Sequence, residues 1–304
     1  MLTNRMYRIE YIKMYGLLRK HLIFEASIRP LTIFIICTIF FACPQKHEKT
    51  DKVHIAVSIL PLAEFAEKIG GDRVQVSVMI PAGTTPHSYE PTPAQLIDLS
   101  TAHIYVKVGT PIEFEIAWLD KILSVNKNMF LCNASQNITL PEPDIDPHVW
   151  LSPLNAQVMV ENIYNTLIEI DPKNKALYHR NKQKYIEELF ELNERIKILL
   201  GDKKNRKFLV YHPAWSYFAN AYDLEQISIE TGGKEPTAKG ILRIIEQAKR
   251  ENIHIVFASP QFSTKNAQVI AREIQGEVIL INPLEKSYIS NLTDIAEQLS
   301  RSMD

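Results

Sequence analysis

Three histidines each sit in a short setting rich in proline and aromatic residues. They are His87 in Pro86-His87-Ser88-Tyr89-Glu90-Pro91, His148 in Asp146-Pro147-His148-Val149-Trp150-Leu151, and His212 in Tyr211-His212-Pro213-Ala214-Trp215. Neutral imidazole is the commonest protein ligand for a borderline cation such as zinc. About sixty residues separate each histidine from the next, too far for a small finger. A metal held by them has to be gathered from separate loops of a large scaffold. A single histidine beside proline is ordinarily a loop residue satisfied by hydrogen bonds, so the weight lies in the three settings taken together. The other six histidines lack such a setting: His21 and His47 lie near the N-terminus, His54 and His254 in strand-like runs, His103 beside one, and His179 on a long helix.

The elements around these loops alternate. Short β-branched runs at 53–59, 74–80, 104–108 and 129–132 read as strands, and 62–69, 94–99 and 114–123 between them have helical periodicity. The C-terminal part repeats the scheme, with strand-like 208–211, 253–258 and 278–281 and helix-like 241–250 and 265–273. Such alternation predicts α/β architecture with parallel sheets and helical crossovers. His87 then follows the second strand, His212 follows the strand at 208–211 directly, and His148 lies in a proline-rich loop before a helix. Loops at the carboxyl ends of parallel strands are where α/β sheets place ligands.

The middle of the chain differs. Ser152-Pro153 is an N-cap with proline at the first helical position, opening a helix to about residue 170. Asp171-Pro172 repeats the signal, and no proline or glycine follows until Gly201, the expected stop. Tyr178, Tyr185, Leu189, Leu192, Ile196 and Leu199 keep to one stripe. A helix of that length, roughly 43 Å, is a rigid strut beside two lobes, and large closure motions are not expected of it. The expected division is a leader at 1–43, a polar tether at 44–51, an N-terminal lobe at 52–170, a linking helix at 171–201 and a C-terminal lobe at 202–304.

The leader reads as an export signal. Residues 1–30 carry six basic and two acidic side chains, followed by a run at 31–42 that is apolar but for two threonines. This run is too short to span a bilayer and fits the apolar region of a signal peptide. Ala42-Cys43 resembles the lipobox of bacterial lipoproteins, with Phe40 where that motif ordinarily has Leu or Val, and implies a lipidated Cys43 as the first mature residue. Met14 is an alternative start. Beyond residue 43, 28 basic and 33 acidic residues leave a net charge of −5, which excludes a nucleic-acid binder by bulk charge. Cys132 is then the one cysteine left, so neither an internal disulfide nor a thiolate cage is available.

Four blocks in order, Pro-His-Ser-Tyr-Glu-Pro-Thr-Pro (86–93), Asp-Pro-His-Val-Trp-Leu-Ser-Pro (146–153), His-Pro-Ala-Trp-Ser-Tyr-Phe-Ala (212–219) and Gly-Gly-Lys-Glu-Pro-Thr (232–237), resemble the signature of the metal-binding solute receptors of bacterial ABC importers for zinc and manganese. Ile59-Leu60-Pro61-Leu62 and Ile69-Gly70-Gly71-Asp72 also resemble that family. The resemblance implies two α/β lobes joined by one long helix, with a metal between them held by His87 and His148 from the first lobe and His212 from the second. It implies as partners an importer permease, the metal ion and, through the lipid, the membrane, for a monomeric, exported chain without enzymatic activity. The fourth position departs from the family pattern: Asn282-Pro283-Leu284 stands where Asp-Pro-Leu is usual, so Asn282, Glu285 or water is the expected fourth donor.

Three nitrogens and at most one neutral oxygen suit Zn²⁺ better than Mn²⁺. The expected function is therefore capture of Zn²⁺ outside the membrane. The alternatives are a manganese or iron receptor, a metal-binding adhesin of the same fold, and a zinc hydrolase, for which no His-Glu-x-x-His element is present. The lipobox reading carries its own test. Cys43→Ser is expected to move the chain from the detergent phase to the aqueous phase in phase partitioning. Unchanged partitioning with an unchanged intact mass is the opposite outcome.

Overall fold

The computed structural model describes residues 52–141, 146–230 and 233–303. The expected leader, with Cys43, and tether lie outside them. The first half is a four-stranded sheet of β1 (Val53–Val57), β2 (Val74–Val78), β3 (Ile104–Lys107) and β4 (Phe130–Asn133), parallel throughout, in the order β2-β1-β3-β4. Its crossovers are α1 (Leu60–Gly70), α2 (Pro93–Leu99) and α3 (Glu113–Val125). The second half repeats the topology with β5 (Lys207–Val210), β6 (Glu225–Ser228), β7 (Ile255–Ala258) and β8 (Glu277–Leu280) in the order β6-β5-β7-β8. Its crossovers are α6 (Ser216–Ala221), α7 (Ala238–Arg250) and α8 (Lys265–Glu273), and α9 (Tyr288–Ser302) follows. All five residues of β1 are buried, as in a central parallel strand covered on both faces.

Two helices link the halves. α4 (Pro153–Ile170) opens on Ser152, whose hydroxyl accepts the Asn155 N–H, with Pro153 in the first turn, as the sequence signal implies. α5 (Lys175–Gly201) then runs 27 residues without a break, about 40 Å. Its start differs from the simple cap expected at Asp171. Pro172–Asn174 forms one 3₁₀ turn, and the Asp171 carboxylate takes the Asn174 amide at 2.7 Å and the Tyr178 hydroxyl at 2.6 Å instead of a backbone N–H. Its end is not a left-handed glycine either, since Gly201 has no positive φ. The guanidinium of Arg206 donates to the Leu200 and Gly201 carbonyls and satisfies the last turn.

Three elements, α6, β6 and α9, are missing from the sequence reading, and the first two leave little periodic signal. α6 is six residues, too short to show a period, and β6 (Glu-Gln-Ile-Ser) has one apolar residue in four. α9 buries Tyr288, Leu292, Ile295, Ala296 and Leu299 in one stripe.

The halves share a core. One apolar cluster joins Ile55 and Val57 of the first sheet to Phe208, Val210 and Phe257 of the second, through Trp150, Trp215 and the buried stripes of α5 and α9. A smaller cluster covers the other face of the second sheet. Tyr288 is the tie. Its hydroxyl donates to the Trp150 carbonyl at 2.6 Å, its backbone N–H to Glu64 at 2.8 Å, and its ring stands edge-on to Phe65 with centroids 5.0 Å apart. The Trp150 indole N–H donates back to the Pro283 carbonyl at 2.7 Å. Burial, with smaller contributions from Tyr222 and Glu64, pushes the Tyr288 hydroxyl far above its ordinary value and keeps it a donor. Tyr288→Phe leaves a buried carbonyl without its donor. It is expected to cost about 1–3 kcal/mol in denaturant unfolding of the metal-free chain.

Candidate metal centre

The three histidine loops converge. His87 lies on the loop between β2 and α2, His148 just before a 3₁₀ turn (Val149–Leu151) that leads into α4, and His212 two residues past β5. The loop facing His148 is fixed by Gly109, whose φ of +89° and close approach to Asn133 exclude a side chain, and by Thr110, whose hydroxyl donates to the Pro147 carbonyl at 2.7 Å. One ring nitrogen from each histidine lies within 4.8 Å of the other two. His148 and His212 are buried and His87 is partly so.

Each imidazole is held by a carboxylate on its far nitrogen. His87 Nδ1 lies 2.9 Å from Glu113, His148 Nδ1 2.7 Å from Asp146, and His212 Nδ1 2.7 Å from Glu230. An ionised carboxylate only accepts, so each Nδ1 carries a proton, and Nε2 is the nitrogen left to offer a lone pair to a metal. His87 Nε2 and His212 Nε2 face each other at 3.3 Å. Two nitrogens on one tetrahedral zinc at 2.0–2.1 Å stand about 3.3–3.4 Å apart. Opposed lone pairs at that distance repel unless a proton or a cation sits between them.

The carboxylates are themselves fixed. Asp146 accepts from His148 N at 2.9 Å through Oδ1, and from the backbone N–H at 3.2 Å and the hydroxyl of Ser216, the first residue of α6, through Oδ2. It thereby ties a loop of the first half to a helix of the second. Burial acts to raise the Asp146 carboxyl, but the His148 hydrogen bond and charge and the Ser216 hydroxyl outweigh it and hold it below the usual range. Glu113, at the start of α3, is also lowered: burial opposes, and the bonds from His87 and from its own backbone prevail. Both are therefore held as ionised acceptors for the Nδ1 protons.

A cavity of about 10 Å³, room for one water-sized sphere, lies among the three histidines, Gln261, Phe262 and Leu284. Phe262 covers it, with ring centroids 4.9 Å from His212 and 5.9 Å from His87. Trp150 stands edge-on to His148 at 5.2 Å. Of the residues expected at the fourth position, Asn282 accepts Gln261 Nε2 at 2.6 Å and Leu284 N at 3.0 Å and donates to Glu285 at 3.0 Å. Neither Asn282 nor Glu285 lines the cavity. The remaining described histidines have other settings: His54 with Thr101 and Ser77, His103 accepting the His54 N–H, His254 with the Ile274 carbonyl, and His179 against Tyr164. The sequence reading missed Glu113, Glu230, Gln261 and Phe262. Asp146 was in view, two residues before His148, but without a role.

Two parallel α/β lobes braced by one long helix, with three convergent imidazoles under an aromatic cover, define a two-lobed solute-binding protein whose site suits a metal ion. Residues 55–302 match the family described as zinc-uptake complex component A, periplasmic (ZnuA), and the chain belongs to that family. It is a metal-binding solute receptor of the zinc type. The high-affinity zinc uptake system protein ZnuA of Bacillus subtilis (strain 168) is 30% identical over 256 residues, 78% of this chain and 80% of that protein. A crystal structure of a ZnuA superposes with a TM-score of 0.81 at 42% identity, over 84% of this chain and 100% of that one. The zinc-binding lipoprotein AdcA of Streptococcus pneumoniae is 27% identical over 277 residues, 84% of this chain but only 55% of that protein. The Zn(II)-bound ZnuA-like domain of AdcA superposes with a TM-score of 0.72 at 29% identity, over 83% of this chain and 99% of the domain.

The carboxylate–imidazole pairs make a specific demand. Glu230→Gln offers His212 Nδ1 an amide that can donate as well as accept, so the tautomer with a bare Nε2 is no longer enforced. Zinc affinity in chelator competition is expected to fall about 10–100-fold, with the far-ultraviolet circular dichroism unchanged.

Proposed function

We propose that this chain is an extracytoplasmic receptor that captures one Zn²⁺ with His87, His148 and His212 and delivers it to the permease of an ABC importer. The observation that carries the assignment of the ligands is the convergence of three Nε2 lone pairs, each fixed by a carboxylate behind the ring. Membership in the zinc-uptake family supports the direction of transport and the permease partner. The donor set supports zinc over manganese, because imidazole nitrogens suit a borderline cation and Mn²⁺ prefers carboxylate oxygen.

The reading also makes the chain a monomer, anchored outside the membrane through lipid on Cys43 and acting as a carrier with no hydrolytic step. The cover of Phe262 and a cavity the size of one small sphere support a carrier, since neither leaves room for a substrate beside the ion. Capture is expected to weaken on acidification, because each proton on Nε2 occupies a ligand position.

Calorimetry tests the assignment. The expected result is one Zn²⁺ per chain, with His87→Ala, His148→Ala or His212→Ala each reducing affinity far more than His103→Ala or His179→Ala. X-ray absorption on the loaded wild type is expected to give zinc–nitrogen distances of about 2.0–2.1 Å. Binding by His212→Ala equal to wild type is the result that defeats it.

A further inference from the structure

Three imidazoles leave a tetrahedral ion one donor short, and the fourth position where the family pattern has Asp holds Asn282. Its carboxamide is committed elsewhere. Leu284 N is a donor only, so the Asn282 atom it meets at 3.0 Å is the oxygen, and the other end, 3.0 Å from the Glu285 carboxylate, is the amide nitrogen. The orientation of Asn282 is therefore fixed by its partners.

That orientation fixes a second amide. The Gln261 atom 2.6 Å from Asn282 Oδ1 must be a donor, so it is Nε2. Gln261 then has its oxygen on the other side. This Oε1 is buried and has no hydrogen-bond partner among the described residues. Gln261 lines the same cavity as His87, His148 and His212. A buried amide oxygen without a partner is costly, and the cavity is otherwise lined by the three imidazoles, Phe262, Leu284, Thr85 and two prolines. An ion held among the three imidazoles would supply the partner that this oxygen lacks.

We propose that the side-chain oxygen of Gln261 is the fourth donor to the bound ion, positioned by the Asn282 carboxamide behind it. The inference rests on the three-histidine reading and deepens it. Gln261 follows the carboxyl end of β7, a central strand of the second sheet, one turn past Ser259, whose carbonyl accepts the Phe262 N–H at 3.1 Å. The donor and the aromatic cover are thus adjacent residues of one tight turn. The set becomes three nitrogens and one neutral oxygen, with all anionic charge held behind the rings. A hard cation that needs anionic oxygen in direct contact is disfavoured by such a set.

The test uses Co²⁺ as a visible probe in the full exported chain, with thiocyanate as a competing small anion. A coordination sphere closed by protein does not change its cobalt absorption when thiocyanate is added. A sphere completed by water does. The wild type is expected to be insensitive, and Gln261→Ala to become sensitive and to lose about tenfold in zinc affinity. Gln261→Glu, which keeps an oxygen in place, is expected to stay insensitive and to gain more in Mn²⁺ affinity than in Zn²⁺ affinity. Thermal melts of the metal-free variants report folding. Should Gln261→Ala not fold, the wild-type spectrum and Gln261→Glu still decide. A wild-type spectrum that shifts with thiocyanate, or a Gln261→Ala with undiminished zinc affinity, overturns the inference while leaving the three histidines intact. Undiminished binding by His212→Ala overturns both.

Discussion

The hydrogen bond from each imidazole Nδ1 to a carboxylate is the constraint from which the rest of the centre follows. A free histidine divides itself between two tautomers and many ring orientations. Glu113, Asp146 and Glu230 remove both freedoms and leave each ring its Nε2 as the nitrogen available to an ion. The arrangement is unfavourable when empty, since lone pairs repel and Asp146 and Glu230 are nearly buried, with side chains 11% exposed. A divalent ion reverses both effects: it separates the lone pairs and neutralises most of the three negative charges around them. Binding strength is thus stored as preorganisation in the protein.

Such a centre needs a frame that does not relax. Donors from both halves must hold their spacing to a few tenths of an ångström, and the fold supplies this with a core common to both sheets. α5 lies against α1 and α4 of the first half and α9 of the second, so the last helix of the chain is packed on the strut instead of on its own sheet alone. Tyr288, Trp150 and Glu64 then cross the boundary with buried hydrogen bonds. Asp146 does the same at the site itself, taking His148 on one side and Ser216 on the other. Separating the halves breaks that carboxylate bridge together with the imidazole cluster. A stiff frame with local loosening of the His87 loop, whose Glu113 support is half-exposed, fits the geometry better than a wide hinge.

The sequence carried most of the frame and part of the site. Strand-like runs and helical stripes located seven of the eight strands and the long helix, because buried parallel strands and a 27-residue amphipathic helix leave strong periodic signals. The mostly polar β6 and the six-residue α6 leave none. The three histidines were legible from their proline and aromatic settings and from the family resemblance. Their carboxylates were not. Glu113 is one acid among several in a helix-forming stretch, and Glu230 reaches His212 only because β6 lies beside β5. Asn282 drew attention because it departs from a pattern. Its partner Gln261 drew none, although the pair is an object of the fold alone: residues 21 apart, brought together at the ends of β7 and β8.

The substitution of Asn for Asp at position 282 bears on which ions this chain can hold. With Asp at 282, the Glu285 carboxylate 3.0 Å from its side chain would meet a like charge. Asn turns that contact into a hydrogen bond and turns its oxygen toward Gln261. The member of this pair that lines the cavity is thus a neutral amide, Gln261, and not the residue at 282. Charge then enters the centre only through the imidazoles, where it is felt by polarisation along Nδ1–H and not by direct contact. A cation that bonds strongly to nitrogen profits from that, because a carboxylate behind the ring makes Nε2 a better donor. A cation that depends on contact with anionic oxygen does not, because the three carboxylates lie behind the imidazoles.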